Sequence, residues 1–388
     1  MSMKKLAVFF DGTWNSSDQH TEKEQPCPTN MAKLFEATQP NSAQNEVPQI
    51  VHYIQGVGTH KLERIRGGGF GFGISDNIKE GYKCLVSNYE KGDEVFIFGF
   101  SRGAYSARSL AGLIRNVGIL KREKLYLINK AYEGYKNRSM EWAPKGSKAI
   151  SFRQNNTWGD ETIKFLGVFD TVGALGAPFG IVVGWIVDKL FRCSFHDTQL
   201  SSIVENAYHA LSIDERRLPF LPTLMTPNTR HDPSHFEQKW FPGVHSDVGG
   251  GYSTTGLSDL ALAWIANKAI ENGLNLNLNL ITNPSFAPNV NAEPNNSQSL
   301  FYRIASVLFV KLPSYIGVVP NKYKSALPSI QWNGDYIRPL PNLGNVAPFI
   351  GSSPKNKNTD QYFGDLHVCV IDKINQCWNQ YLPPNVTQ

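Results

Sequence analysis

The 388 residues suffice for one large α/β domain with insertions or for two average domains, and a hydrophobic content of 41% supports a sizeable core. A net charge of +5, from 38 basic and 33 acidic residues without blocks of like sign, argues against a nucleic-acid-binding arm and allows only a mild attraction to anionic surfaces. The five cysteines, Cys27, Cys84, Cys193, Cys369 and Cys377, are widely spaced and form no CxxC pair, which argues against a disulfide framework or a zinc site.

Lys5–Phe10 (KLAVFF) is a continuous apolar run ending in Asp11-Gly12-Thr13, as a buried parallel strand entering a turn would be. It is too short for a signal peptide and no small-residue cleavage site follows, so a cytoplasmic product is expected. Thr29 or Asn30 is placed to cap a short helix over Met31–Thr38. Gln49–Gln55 reads as a second strand. After the glycine-rich loop Gly67–Gly73, which lacks the Gly-Lys-Ser/Thr of a phosphate loop and suits a flap, Ser75 opens a helical pattern over Asp76–Tyr89. Glu94–Phe100 (EVFIFGF) is a third strand that runs straight into Ser101 and a helical stretch, Ala104–Val117. The basic residues between Lys136 and Arg153 read as a solvated face.

Thr162–Phe169 is a fourth strand, ending at Asp170. The segment from residue 172 to 191 is apolar and glycine-rich, but Pro178 and charged residues break it below the about 20 apolar residues of a membrane span; it suits a lid. Lys239–Val244 is a fifth strand ending at His245, and Ser258 is placed to cap a helix over Asp259–Ile270. Beyond about residue 275 Asn and Pro become frequent and periodicity weakens. The expected division is therefore a core over residues 1–272 and a loop-rich cap over 273–388, whose last ordered run, Gly364–Trp378, returns to the same domain as a helix or strand. Strands alternating with helices predict the α/β class: a mostly parallel central sheet with helices on both faces and ligands at the carboxyl ends of its strands. Asp11, Ser101, Asp170 and His245 all stand at such ends.

Gly99-Phe100-Ser101-Arg102-Gly103 is a G-x-S-x-G sequence between a strand and a helix, the context in which a serine is held on a tight turn as a nucleophile. The flanking glycines leave room for that turn, and the helix N-terminus favours developing negative charge. A hydroxyl needs a base to take its proton and a carboxylate to orient the base. His245 and Asp170 are the leading base and acid; Asp247 and His367 stand as alternative triad members. Backbone N–H groups of Arg102 and of Gly12 or Thr13 are placed to hold an oxyanion. Asp214 reads as a structural ion pair or cap and His209 as a packed helix histidine. No cofactor or metal is required, although Asp11, Asp170 and Asp247 leave a metal-dependent hydrolase as a minor option.

Five motifs in order, FFDGTWN (9–15), GFSRGAYSAR (99–108), GVFDTVGA (167–174), ALSIDERR (210–217) and WFPGVHSDVGGGY (240–252), resemble the first lipase family of bacterial type VI secretion phospholipase effectors, a group with the α/β-hydrolase fold. The resemblance implies hydrolysis of phospholipid acyl esters with Ser101 as nucleophile and Asp170 and His245 as acid and base. It also implies contact with a membrane substrate, an immunity protein, a secretion-spike component and delivery into a target-cell periplasm. The alternatives are a carboxylesterase or thioesterase with small soluble substrates, or a catalytically silent hydrolase fold acting as a binding module.

Overall fold

Strands of apolar and aromatic residues pair side by side in the computed structural model, which describes residues 3–13, 15, 26–40, 47–57, 70–173, 199–217, 220–227, 233–281, 286–297 and 365–366. In chain order the main elements are β1 (Lys5–Phe10), α1 (Asn30–Ala37), β2 (Gln49–Ile54), α2 (Phe70–Asn88), β3 (Glu94–Phe100), α3 (Arg102–Val117), α4 (Ile128–Lys136) and α5 (Ser147–Asn156). They continue with β4 (Ile163–Phe169), β5 (Val204–Ser212), β6 (Phe236–Phe241), α6 (His245–Gly249), α7 (Gly256–Glu271), α8 (Leu278–Ile281) and the two-residue β7 (Asp365–Leu366). The sheet order is β2-β1-β3-β4-β5-β6-β7 and every neighbouring pair is parallel. The α/β class expected from the alternation is the fold observed.

The period-two alternation of side chains divides each strand between two cores. Leu6, Val8 and Phe10 of β1 join Val95 and Ile97 of β3 under α2 and α3. Ala7 and Phe9 join Phe96, Phe98 and Phe100 on the other face, beneath α1 and α7. An aromatic seam crosses that second face: Phe9 stacks on Phe98 with ring centroids 4.7 Å apart, Phe98 meets Phe165 at 5.2 Å, and Phe165 meets Tyr208 at 5.3 Å. Phe98 is fully buried. Phe98→Ala is therefore expected to lower unfolding free energy by about 3–5 kcal/mol, read from urea denaturation; a loss under about 1 kcal/mol would mean the seam is not packed as described.

Several expected boundaries move, each for a local reason. Thr29 is the N-cap of α1, its hydroxyl accepting the Ala32 N–H at 3.2 Å. Helix α2 begins at Phe70 rather than after Ser75; a Cβ on Gly73 would lie 2.4 Å from a methyl of Val57, so glycine there allows close packing rather than a break. Strand β6 covers Phe236–Phe241 instead of Lys239–Val244. Pro242 has no N–H for the ladder and Gly243 turns away at φ 102°. Helix α7 starts at Gly256 with Thr255 as cap, and Ser258 lies inside its first turn, its hydroxyl donating to Thr255 O at 3.0 Å. Arg153 is not on a solvated face: its guanidinium donates to Asn116 O and Pro144 O at 2.5 and 2.8 Å.

Strand β5 is absent from the sequence reading, because Glu205, Asn206 and His209 interrupt its apolar run. Each finds a partner in the fold. Glu205 pairs with Lys164 at 3.1 Å and Asn206 donates to Lys164 O at 3.0 Å. His209 is thus a strand residue, not a helix residue. Of the cap region, residues 286–297 dock on α7 through Asn289 N–H to Gly256 O and Ala287 N–H to Asp259 Oδ2, both 2.9 Å. β7 extends the sheet beside β6. The expected lid from residue 174 onward, loop residues 67–69, His367, and Cys193, Cys369 and Cys377 lie outside the described residues. Among the described residues no helix is long and apolar enough to cross a membrane.

Candidate active site

Three side chains from three different strand ends meet at the carboxyl edge of the sheet. Ser101 follows β3 at φ 58°, ψ −121°, a region that side-chain-bearing residues rarely occupy. The glycines around it make the turn possible. A Cβ on Gly99 would lie 2.6 Å from Ala104 Cα, and one on Gly103 would lie 2.2 Å from Phe10 O and 2.4 Å from Asp11 O. The first turn of α3 therefore rests against the end of β1, which is next to β3 in the sheet.

Asp170 follows β4, also at positive φ (35°). Its N–H donates to Ala210 O at 2.7 Å, and its fully buried carboxylate accepts the Ser212 N–H at 3.0 Å and the Ser212 hydroxyl at 3.2 Å. His245 opens α6. Its Nδ1 lies 2.6 Å from Asp170 Oδ2 and its Nε2 lies 2.8 Å from Ser101 Oγ. An ionised carboxylate only accepts, so the neutral imidazole carries its proton on Nδ1 and leaves Nε2 to accept from the serine. The rings of Phe100 and Phe220 flank the imidazole with centroids 4.7 and 4.9 Å away. Burial pushes the His245 pKa below its ordinary value, against the opposing pull of Asp170. The ring is thereby kept neutral, the form in which Nε2 accepts a proton.

The backbone donors expected near the serine are not equivalent. Arg102 N–H lies in the first turn of α3, where backbone donors point out of the helix. Gly12 N–H is already taken by the Asp11 carboxylate at 2.6 Å, which removes it as an oxyanion donor. Thr13, next in the same loop, is buried and its hydroxyl has no partner. Asp11 is more than a turn residue bonding its own backbone: it also accepts from Thr29 and Tyr53 hydroxyls at 2.6 and 2.5 Å.

Desolvation outweighs those bonds and raises the Asp11 pKa from 3.8 to about 6. A raised folded-state pKa means tighter proton binding in the fold. The associated stability is full below the unfolded value and is lost as pH rises through about 6. Between about pH 4.5 and 7 the wild-type melting temperature is expected to fall relative to that of Asp11→Asn, and parallel curves would show that Asp11 does not titrate in this window.

The alternative acid, Asp247, does not reach the imidazole. Its carboxylate accepts the Val244 N–H at 3.0 Å, and Asn295 donates to it from its backbone at 2.9 Å and its side chain at 2.6 Å. Asp11, Asp170 and Asp247 thus serve separate sets of partners, and no cluster of three metal-ligating side chains occurs among the described residues. Asp214 accepts the Gly243 N–H at 2.6 Å, in the turn that leads from β6 into α6.

The supporting roles of two residues escaped the sequence reading. Glu215, fully buried, accepts the His245 N–H at 3.2 Å and pairs with Arg217 at 2.8 Å; the Arg217 guanidinium stacks 3.6 Å over Phe220. Glu215 stands beside Asp214 in a charged run whose spacing alone does not say which carboxylate turns inward. His209 accepts the Thr171 N–H on Nε2 at 3.1 Å and donates from Nδ1 to Gln238 Oε1 at 2.8 Å, fixing the residue after Asp170.

Residues 4–268 match the family described as T6SS, Phospholipase effector Tle1-like, catalytic domain. The uncharacterized protein YEL023C of Saccharomyces cerevisiae is 32% identical over 248 residues, 58% of this chain and 33% of that protein. A crystal structure of an uncharacterized protein from Pseudomonas aeruginosa aligns with a TM-score of 0.42 at 18% identity, covering 82% of this chain and 55% of that one. The Tle1 effector bound to the VgrG spike of the type 6 secretion system aligns with a TM-score of 0.34 at 20% identity, covering 65% of this chain and 51% of that one. The chain thus spans about a third of the length of the curated relative and about half that of the solved structures.

Proposed function

Because the chain belongs to the Tle1-like phospholipase effector catalytic-domain family of type VI secretion, we propose that it hydrolyses acyl esters of phospholipids with Ser101 as nucleophile. The observation that carries this reading is the hydrogen-bonded line Asp170–His245–Ser101, ending on a serine at φ 58° at the start of a helix. Ser101 Oγ attacks the acyl carbonyl while His245 Nε2 takes the hydroxyl proton. Asp170 keeps the proton of Nδ1 in place and stabilises the imidazolium. The carbonyl oxygen, now negative, is held by the N–H groups of Arg102 and Thr13. Collapse of the tetrahedral intermediate breaks the ester bond, and the imidazolium gives its proton to the departing lysolipid alkoxide. Water, deprotonated by the same nitrogen, then attacks the acyl-serine and releases the fatty acid. No step in this sequence calls on a cofactor.

Family membership supports a lipid substrate and an effector role; delivery on a secretion spike and a countering immunity protein complete the proposed role. The substrate test is fatty acid release from mixed phospholipid vesicles beside cleavage of a soluble short-chain ester. Vesicle hydrolysis is the expected result. Cleavage of the soluble ester alone would replace the phospholipase reading with an esterase, and silence on both with no labelling of Ser101 by a fluorophosphonate would leave a binding module.

A further inference from the structure

The last residues of the segment 286–297 reach the supports of the short helix that carries His245. Two buried carboxylates hold the backbone there. Asp247 Oδ2 accepts the Val244 N–H at 3.0 Å, and Glu215 Oε2 accepts the His245 N–H at 3.2 Å. Glu215 also binds the Arg217 guanidinium through two bonds of 2.9 and 2.8 Å. That guanidinium lies over Phe220, whose ring meets the imidazole edge-on at 4.9 Å. One carboxylate thus supports the histidine at its own N–H and, through Arg217 and Phe220, at its ring.

Buried carboxylates are costly unless hydrogen-bond donors surround them. Asn295 and Ser297 supply donors to both. Asn295 gives Asp247 its backbone N–H at 2.9 Å and its Nδ2 at 2.6 Å, and Nδ2 also donates to Thr254 Oγ1 at 3.1 Å. The Ser297 hydroxyl shares its proton between the two Glu215 oxygens, at 3.0 and 3.2 Å. Burial pushes the Asp247 pKa up, and the Asn295 bonds oppose that rise. None of these bonds reaches the imidazole itself. Both residues lie beyond residues 4–268, the stretch that matches the family.

We infer that Asn295 and Ser297 are positioning residues for the proposed reaction: by fixing Asp247 and Glu215 they fix the main chain of His245, and so hold Nε2 against the Ser101 hydroxyl. The inference rests on the reading of Asp170, His245 and Ser101 as the reacting set. Removing either side chain leaves a carboxylate short of a donor and free to turn toward water, and the backbone N–H that it held gains freedom with it. A base displaced by about 1 Å can cost as much as 10²-fold in rate, and a loosened one costs less.

The test is phosphonylation of Ser101 in the full chain by a soluble fluorophosphonate, a reaction that needs the activated serine but no lipid. Asn295→Ala and Ser297→Ala are each expected to lower the saturating rate about three- to fivefold, and the double variant about twentyfold, with the half-saturating concentration unchanged. Ser297→Thr keeps the hydroxyl and is expected to react within about twofold of wild type. Glu293→Ala, at an exposed position of the same segment, is expected to react at the wild-type rate. Rates are measured well below the melting temperature of each variant, where a purely stabilising role leaves them unchanged. A double variant that reacts at the wild-type rate, or that changes only the half-saturating concentration, would overturn the inference and leave the hydrolase reading intact. Absence of labelling in the wild type would remove both.

Discussion

Ser101→Ala is expected to lower turnover of the ester by about 10⁶-fold while leaving the protein folded. Removing the hydroxyl removes the attacking atom, and nothing else at this position replaces it. What remains is the background from backbone donors and binding, about 10³–10⁴-fold over water. The fold is indifferent because the Ser101 side chain contributes no helix cap. The backbone, by contrast, remains strained in the alanine variant at φ 58°, ψ −121°. Ser101→Gly should relieve that strain. It is expected to be as inactive as the alanine variant and more stable than it by about 1–2 kcal/mol, the strain relieved less the extra entropy of glycine. Fatty acid release and thermal melting on the pair give both numbers. Alanine variants that retain activity within tenfold of wild type would remove Ser101 from the mechanism.

Asp170→Asn is expected to lower kcat by about 10⁴-fold with the architecture intact. The structure gives the reason in atoms. Oδ1 of this residue accepts the Ser212 N–H at 3.0 Å, so in the variant the amide oxygen must take that position. The amide nitrogen then faces His245 Nδ1, where the carboxylate was 2.6 Å away. An N–H donor there forces Nδ1 to accept, and the imidazole proton moves to Nε2. The base then points a proton at the serine hydroxyl and cannot remove one. Raising the pH does not repair this, since the fault lies in the tautomer and not in the charge. Asp247→Asn is the control: it touches Val244 and Asn295 rather than the imidazole, and a loss within about tenfold is expected. Equal losses in the two variants would sink the assignment of Asp170.

Much of the frame was legible because buried parallel strands announce themselves as unbroken apolar runs. KLAVFF and EVFIFGF needed no other clue, and each ended on polar residues that the sheet gathers on one edge. β5 was not legible, because its buried polar residues make sense only once neighbouring strands supply Lys164 and Gln238 as partners. The same limit hid Glu215 and the hydrogen bond that takes Gly12 out of the oxyanion loop. Sequence shows which residue types are present near a turn, while the direction of a backbone N–H is decided by φ and ψ. Asp170 and Asp247 illustrate the difference. Both are acidic candidates to orient His245, and the one 75 residues away is in contact because β4 and β6 flank β5.

The order of strands also sets a timetable for the chain. The hydrogen-bonded groups are separated by 75 and 144 residues, and the strands that carry them lie in one parallel sheet joined by long crossovers. Such distant pairings form late, after the loop-closure entropy of every intervening segment has been overcome. A nascent or partly refolded chain can therefore contain a finished β1–β3 unit and an exposed serine, yet still have no base beside it. In the proposed mechanism the triad is complete only when β6 docks and brings His245 beside Ser101. For the hydrolase proposed above, the site is incomplete until the strand that carries His245 has joined the sheet.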